Sequence, residues 1–353
     1  MKSYLNFTLK GSQFLPVWIA FFFFFLIPLY LFLDGLISMT AEDVTASGPS
    51  KLFFVYLFIF LAMVFTFAFF NAKLVLENLE YKGLKVDCEY HTGKYIGIII
   101  SGLVLSIISI GIYFPWLIKN MHRFFINGAS YNSHKFAFKG KGISLFQMMT
   151  LTIFVPFLVV GFVVFTLLQS NIEIWIYEVI VISLFVVFIY LVFNWMTNIR
   201  YKNYLIKLDI GFFSAMWKIG LELIMAAIFV FIFKWLTFVT NVMLLNADFF
   251  PEAGKIAIEL FLAVLTAGFY FPMAFIRLYR YFTEHTKSNI VEGKQISLGF
   301  DGDQLTDFLF IWGQILLTVI TFGIYYPWTF SKIAHRVLSQ TFIKTNEVTI
   351  AGR

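Results

Sequence analysis

Charge is what this chain has least of. Only 13% of its 353 residues are Asp, Glu, Lys or Arg, about half the ~25% usual in a soluble protein, while 60% are apolar or aromatic. A soluble globule has too little interior to bury that much apolar side chain, so an ordinary soluble enzyme and a disordered regulator are excluded. Cysteine is nearly absent: Cys88 stands alone, so no internal disulfide can form. The five histidines, His91, His122, His134, His285 and His335, show no ligand spacing that would place them on one helix face. No nucleophile elbow, P-loop or dinucleotide fingerprint occurs in its required context. No metal, no cofactor and no enzymatic activity are therefore expected, the alternative being a membrane enzyme whose ligands are scattered across several helices. A long basic run is missing too, so the net charge of +6 does not indicate nucleic acid as a partner.

What the chain has is phenylalanine, 48 residues of it, and uncharged stretches long enough to span a bilayer. These indicate a polytopic helical membrane protein and argue against a β-barrel. Full spans are expected near 14–34, 52–72, 143–168, 174–199, 212–245 and 256–276. The first has no clear cleavage site and reads as a retained helix rather than a signal peptide. The runs 95–118 and 308–331 differ, each being broken by a Gly-Ile-Tyr-aromatic-Pro-Trp sequence. Between the spans lie short alternating stretches, at 4–11, 84–88, 134–140, 204–209, 295–300 and 347–350, that read as strands. Strands with open edges cannot face lipid, so they belong outside the hydrocarbon. The expected fold is an all-α polytopic bundle, internally duplicated, with two short membrane hairpins and short cytoplasmic β segments.

Charge placement orients it. If 95–118 and 308–331 enter and return on one side, 23 of the 26 Lys and Arg share a face, and only Lys51 and Lys255 lie opposite, with Lys234 inside a span. The positive-inside rule makes the basic face cytoplasmic, with both termini on it, and the other face is acidic. A repeat agrees with this arrangement. Ile110-Gly111-Ile112-Tyr113-Phe114-Pro115-Trp116 recurs as Phe322-Gly323-Ile324-Tyr325-Tyr326-Pro327-Trp328, and Lys119, His122 and Arg123 match Lys332, His335 and Arg336. The division expected is a first repeat over 1–143, a linking helix pair over 144–199, and a second, parallel repeat over 200–353. A weaker copy, Gly268-Phe269-Tyr270-Phe271-Pro272, closes the 256–276 span.

The stretch Leu317–Trp328 followed by basic residues, with the strand-like segments 136–140 and 298–302, resembles the YjgN-like family of bacterial inner-membrane proteins, a family of unknown function. The resemblance implies a multi-pass protein of the bacterial inner membrane and supplies no substrate.

Three groups of residues are candidates for function. Gly111, Tyr113, Pro115, Trp116, Gly323, Tyr325, Pro327 and Trp328 could shape re-entrant turns lining a path, or simply anchor span ends at the interface. His122, Arg123, His335 and Arg336 could grip an anion or a lipid headgroup, or serve only as topology determinants. Lys234, Glu222 and Glu259 are charges within expected spans, where an ionisable group is costly unless paired. Gly97, Ser101, Gly102 and Ser106 are small residues suited to helix packing. The leading functional expectation is a translocation path for a small solute, ion or lipid between the two repeats. The alternative is a non-transporting scaffold that organises lipid. The expected partners are membrane lipids and a small solute or lipid substrate.

Overall fold

The computed structural model describes residues 2–40, 51–156, 158, 175–240 and 270–347; most of the expected 256–276 span lies outside them. In chain order the elements are β1 (Lys2–Phe7), α1 (Gly11–Thr40), α2 (Lys51–Glu77), β2 (Leu79–Tyr81), β3 (Leu84–Lys85), β4 (Asp87–Cys88), α3 (Thr92–Ile108), α4 (Phe114–Gly128), β5 (Ala129–Tyr131) and β6 (His134–Phe138). There follow α5 (Gly142–Met149), continued by a π-helical stretch Thr150–Phe154, α6 (Trp175–Met196), β7 (Ile199–Tyr201), β8 (Tyr204–Leu208), α7 (Phe212–Thr240) and α8 (Phe271–Glu284). The last are β9 (Thr286–Ser288), β10 (Lys294–Phe300), α9 (Gln304–Ile320), α10 (Tyr326–Ser339) and β11 (Thr341–Glu347).

The strands are not accessory pieces. They form one antiparallel sheet of 11 strands in the order β3-β2-β1-β11-β10-β9-β8-β7-β6-β5-β4. Its two outermost strands are separated in the chain by Val86 alone, so β3 and β4 are halves of one kinked strand. Leu84 and Lys85 pair with β2, and Asp87 and Cys88 pair with β5. The Val86 N–H continues the first ladder to the Leu79 carbonyl (3.0 Å), and the Glu89 N–H continues the second to Gly128 (2.9 Å). The sheet thus bends round into a nearly closed ring. This corrects the all-α expectation and the exclusion of a barrel. The return strands after the helices are as short as three residues, too short to display alternation, and their partners are reached only after a helical detour.

Nearly every neighbour in the ring is also a neighbour in sequence. Five times the chain leaves a strand, runs through helix, and returns as the adjacent antiparallel strand. All helical excursions therefore leave from one rim, and the tight turns occupy the other. Those turns carry paired positive φ values, as at Lys82 (50°) and Gly83 (75°), or Asn132 (47°) and Ser133 (60°), the geometry that matches strand twist in a two-residue hairpin. β1 pairs with both β2 and β11, so the first strand is held against the last.

Strand alternation separates two faces. Phe7, Phe138, Leu208 and Phe300 lie on the buried face. Charged pairs cross the other: Lys135 with Glu89 (2.6 Å), Lys287 with Asp209 (3.5 Å), and Lys2 with Asp301 (2.8 Å). Hydrogen bonds from Lys2 and Tyr4 hold the Asp301 carboxyl below the usual carboxylate range.

The apolar core is likewise divided. Phe69, Tyr95, Ile99, Leu103 and Leu117 join α2 to α3 and α4; Phe138, Leu145, Met149 and Trp195 join α4 to α5 and α6. Val186, Tyr190, Leu208, Ala215, Ile219 and Phe282 join α6 to α7 and α8, and Ile276, Phe300, Ile311 and Val337 join α8 to α9 and α10. Phe7, Leu9 and Phe14 pack against Tyr326 and Phe330 of α10, closing the circle between last and first excursions. Each junction between neighbouring excursions has its own core.

Among the described residues two helical segments, Val55–Glu77 and Phe212–Phe229, are long and apolar enough to cross a membrane, and only 11% and 17% of their spanning windows are buried. By length and composition these two could cross a membrane; of the six full spans expected, 143–168 falls partly and 256–276 mostly outside the described residues. Gly11–Phe25, Thr92–Ile108, Gly142–Phe154, Val186–Met196 and Gln304–Ile320 are apolar but shorter.

The α3–α4 and α9–α10 turns are built alike. The Gly111 N–H reaches back to the Ser106 carbonyl (2.6 Å) and that of Gly323 to Thr318 (2.8 Å), the six-to-one bond of a Schellman helix end. In that motif glycine ordinarily takes the preceding position, which here holds Ile110 (φ 51°) and Phe322 (φ 50°). A branched or bulky side chain in the left-handed region costs about 1–2 kcal/mol, and both are almost wholly exposed, at 92% and 85%. Ile110→Gly and Phe322→Gly should each raise the thermal midpoint of detergent-solubilised protein by the equivalent of up to about 1 kcal/mol. Leu117→Ala, at a fully buried position, should lower it by about 2–5 kcal/mol.

Candidate functional site

The two Pro-Trp segments open α4 and α10, where proline fits the first turn because it has no N–H to leave unpaired. Ser109 Oγ accepts from the Tyr113 N–H (2.9 Å) and Thr321 Oγ1 from that of Tyr325 (3.1 Å). Tyr113 stacks on Trp116 and Tyr325 on Trp328, each pair at 19°. Pro115 and Pro327 are buried. The cavity at Gly111, about 240 Å³, is lined by Leu57, Phe58, Leu61, Leu103 and other apolar groups. Its one hydroxyl, Ser106, is already committed to the Gly102 carbonyl (2.7 Å). The turns share a geometry, and around the first of them the space is apolar.

Both tryptophans receive the start of a neighbouring helix. A Cβ on Gly11 would lie 2.6–2.8 Å from Trp328, ring and backbone, and one on Gly142 would lie 2.7 Å from the Trp116 ring. The glycines follow matching sequences, Phe7-Thr8-Leu9-Lys10-Gly11 and Phe138-Lys139-Gly140-Lys141-Gly142. Here the two copies diverge. His122 on α4 packs edge-on against Phe138 (4.5 Å) and against Trp195 (5.5 Å), with Nε2 3.4 Å from the Met196 carbonyl. Burial pushes its imidazole pKa down, opposed by that carbonyl. Arg123 points to solvent. The first His-Arg pair is therefore filled in by aromatic packing.

At the second pair the space stays open. Leu9, Lys10, Gly11 and Ser12 face Trp328, Ser331, Lys332, His335, Arg336, Ser339 and Gln340 across a cavity of about 770 Å³, with Phe310 beneath. Lys332, Arg336 and Ser339 recur every three or four residues, so they occupy one stripe of α10. Lys332 Nζ bonds the Tyr325 hydroxyl (2.7 Å), and His335 Nδ1 lies 2.8 Å from the Phe7 carbonyl, leaving Nε2 unused. Ser331 Oγ donates to the Leu9 carbonyl. Arg336 lies over the Phe310 ring (4.9 Å), and its Nε bonds buried Asp307 Oδ1 (2.6 Å), which also accepts from Gln340 (3.2 Å). The first N–H groups of α1, which no helical acceptor can take, stand at the same wall. The lining thus combines cations, hydroxyls and a helix N-terminus, a donor set whose chemistry suits an anion.

The charges expected within spans are placed differently. Glu222 is 1% exposed and is met by Lys218 (3.1 Å), Arg277 (3.6 Å) and the Tyr270 hydroxyl (2.7 Å), joining α7 to α8. Lys234 falls within α7, but its side chain, like the whole of Glu259, lies outside the described residues, so a pairing between them does too. Among the described residues no group of three or more His, Cys, Asp or Glu could hold a metal ion.

Of the residues around this cavity, sequence reasoning singled out His335 and Arg336 and passed over Lys10, Ser12, Asp307 and Gln340. The recurring Phe-x-x-Lys-Gly run was the available signal for the first of these; nothing in sequence spacing points to Asp307.

The chain belongs to the family described as bacterial protein of unknown function (DUF898), which matches residues 5–294. This is the YjgN-like family that the repeated segments resemble. No curated protein and no solved structure matches the chain. The match ends before α9, so the Asp307–Arg336 wall of the cavity lies beyond it.

Two outcomes follow from this packing. Gly11→Ala must push α1 off Trp328 and should cost about 1–3 kcal/mol, whereas Gly97→Ala, with nothing within 4 Å of its Cβ, should be neutral or stabilising by up to about 1 kcal/mol; thermal unfolding in detergent separates them. The second concerns pH. Well above the ordinary imidazole value of about 6.5, His122 is neutral in both folded and unfolded chains. Below that, the unfolded chain takes up a proton that the folded one resists, so stability falls on acidification. His122→Phe should flatten the thermal midpoint against pH between about 7.5 and 5.5.

Proposed function

We propose that the protein is a multi-pass protein of the bacterial inner membrane whose β-ring lies at the cytoplasmic surface and whose helical excursions organise lipid rather than conduct a solute. One observation supports this above others: every excursion begins and ends on the same ring. Strand edges and turns do not lie in hydrocarbon, so a ring kept in water obliges each excursion to return to the face it left. β1 and β11 pair, which puts both chain ends on that face. The exposed apolar tips, Ile110 and Ile112 on one turn and Phe322 and Ile324 on the other, suit burial in acyl chains. α3 and α9, at 17 residues each, rise about 25 Å, less than the ~30 Å core. The placement of Lys and Arg points the ring to the cytoplasm. A translocation path called for polar space between the two turns, and the cavity beside Gly111 is apolar.

In a Cys88→Ser background, Ser130→Cys and Thr345→Cys should react with membrane-impermeant thiol reagent only from the cytoplasmic side, and Ile110→Cys from neither. Periplasmic labelling at any of the three would replace this topology with single crossings. Vesicles reconstituted with the protein should remain sealed to entrapped small solutes and should not exchange labelled lipid between leaflets. Release of either kind would restore the translocation reading.

A further inference from the structure

We propose that the cavity between the N-terminus of α1 and the polar stripe of α10 binds a phosphate group, and that its carrier is an anionic membrane phospholipid. The choice of lipid as carrier rests on the membrane placement argued above; the phosphate chemistry does not.

The cations are the first argument. Lys10, Lys332 and Arg336 line one space, and among the described residues neither lysine forms an ion pair with a carboxylate. Among the described residues the carboxylate that pairs with these cations is Asp307, which engages Arg336 through Nε, while Asp303 stands close enough to Arg336 to feel its charge. That bond fixes the guanidinium while leaving its two terminal nitrogens, the fork that matches two phosphate oxygens, without a carboxylate. With Asp307 counted, the wall keeps two positive charges in excess. Lysine and arginine so placed are a weakly compensated field unless an anion enters it.

The neutral donors are the second. The N–H groups of Gly11 and Ser12 begin a helix of 30 residues, and its dipole favours negative charge at that end. Ser12 and Ser339 hydroxyls face the same cavity and can donate to an anion.

The contrast within the molecule is the third. The related position at His122 and Arg123 carries the same Trp–Gly helix contact, yet Phe138 and Trp195 occupy the room beside the histidine. The basic residues alone therefore do not define the site. What distinguishes the α1–α10 junction is that Lys10 and the start of α1 face an open space. The apolar faces of α1 and α2 run from this point, so an acyl chain attached to a bound phosphate has a surface to follow.

The test uses full-length protein. Native mass spectrometry of detergent-solubilised protein, with phosphatidylglycerol and phosphatidylcholine offered in equal amounts, should show preferential retention of phosphatidylglycerol. Lys332→Gln with Arg336→Gln should weaken that retention at least tenfold, and Arg123→Gln should leave it unchanged. Because loss of Arg336 uncovers buried Asp307, Lys10→Gln with Lys332→Gln, two exposed side chains, serves as a second variant with the same expected direction and an unchanged thermal midpoint. Glycerol 3-phosphate, measured by calorimetry on the same protein, separates the sources: competition at millimolar concentration confirms the phosphate chemistry with lipid as carrier, whereas binding as tight as that of the lipid assigns the site to a soluble phosphate ester. Equal retention of the two lipids, or retention unaffected by both double variants, overturns the proposal, and neither result bears on the topology labelling.

Discussion

Everything in this structure depends on one strand pairing with two partners. Because Leu84 and Lys85 bond to β2 while Asp87 and Cys88, one residue further on, bond to β5, the sheet offers no long free edge. An open sheet of this size would present a row of unpaired N–H and C=O groups, a template for association with other chains. The kink at Val86 removes it. With the ring nearly closed, each strand from β2 round to β5 is fixed in register by two neighbours, and ten described helices are delivered to one rim in a fixed circular order.

The core follows the same logic. A globular protein gathers its buried side chains into one centre; here they are distributed into junctions, each holding the second helix of one excursion against the first helix of the next. Four of these junctions join segments that are consecutive in the chain. The fifth, around Phe7, Leu9 and Phe14, joins its beginning to its end. Beside its aromatic packing this junction also holds the cationic cavity, which therefore sits at the one seam that no short connection crosses.

Much of this was legible in the sequence, and the reasons for what was not are physical. The strands at 4–11, 134–140, 204–209 and 295–300 showed alternation because one face is buried; their partners Leu79–Tyr81, Ala129–Tyr131 and Ile199–Tyr201 are too short to show any period. Without those partners the alternating stretches read as isolated surface pieces, and a ring as an all-α bundle. The Gly111 and Gly323 motifs were visible because a Schellman end followed by a proline-initiated helix demands particular residues. Their setting was not, since the strand order gives five successive excursions, of which these are the second and the fifth. His335 and Arg336 were recognisable as basic residues after an apolar run, but their difference from His122 and Arg123 depends on Trp195, which belongs to another helix and enters only through tertiary packing.

The pairing of β1 with β11 has a consequence for how the protein is made. Each of the other strands meets a partner soon after it emerges, since the neighbour in the ring is the neighbour in the chain. The outer side of β1, and the whole wall that Lys10 and Gly11 contribute to the cavity, must wait for β11 and α10, which follow almost the entire length of the polypeptide. Until then Lys2, Ser3 and Tyr4 present an unsatisfied ladder. The cavity is thus the last thing biosynthesis completes, and a chain interrupted anywhere before α10 would hold several complete excursions and only one wall of it.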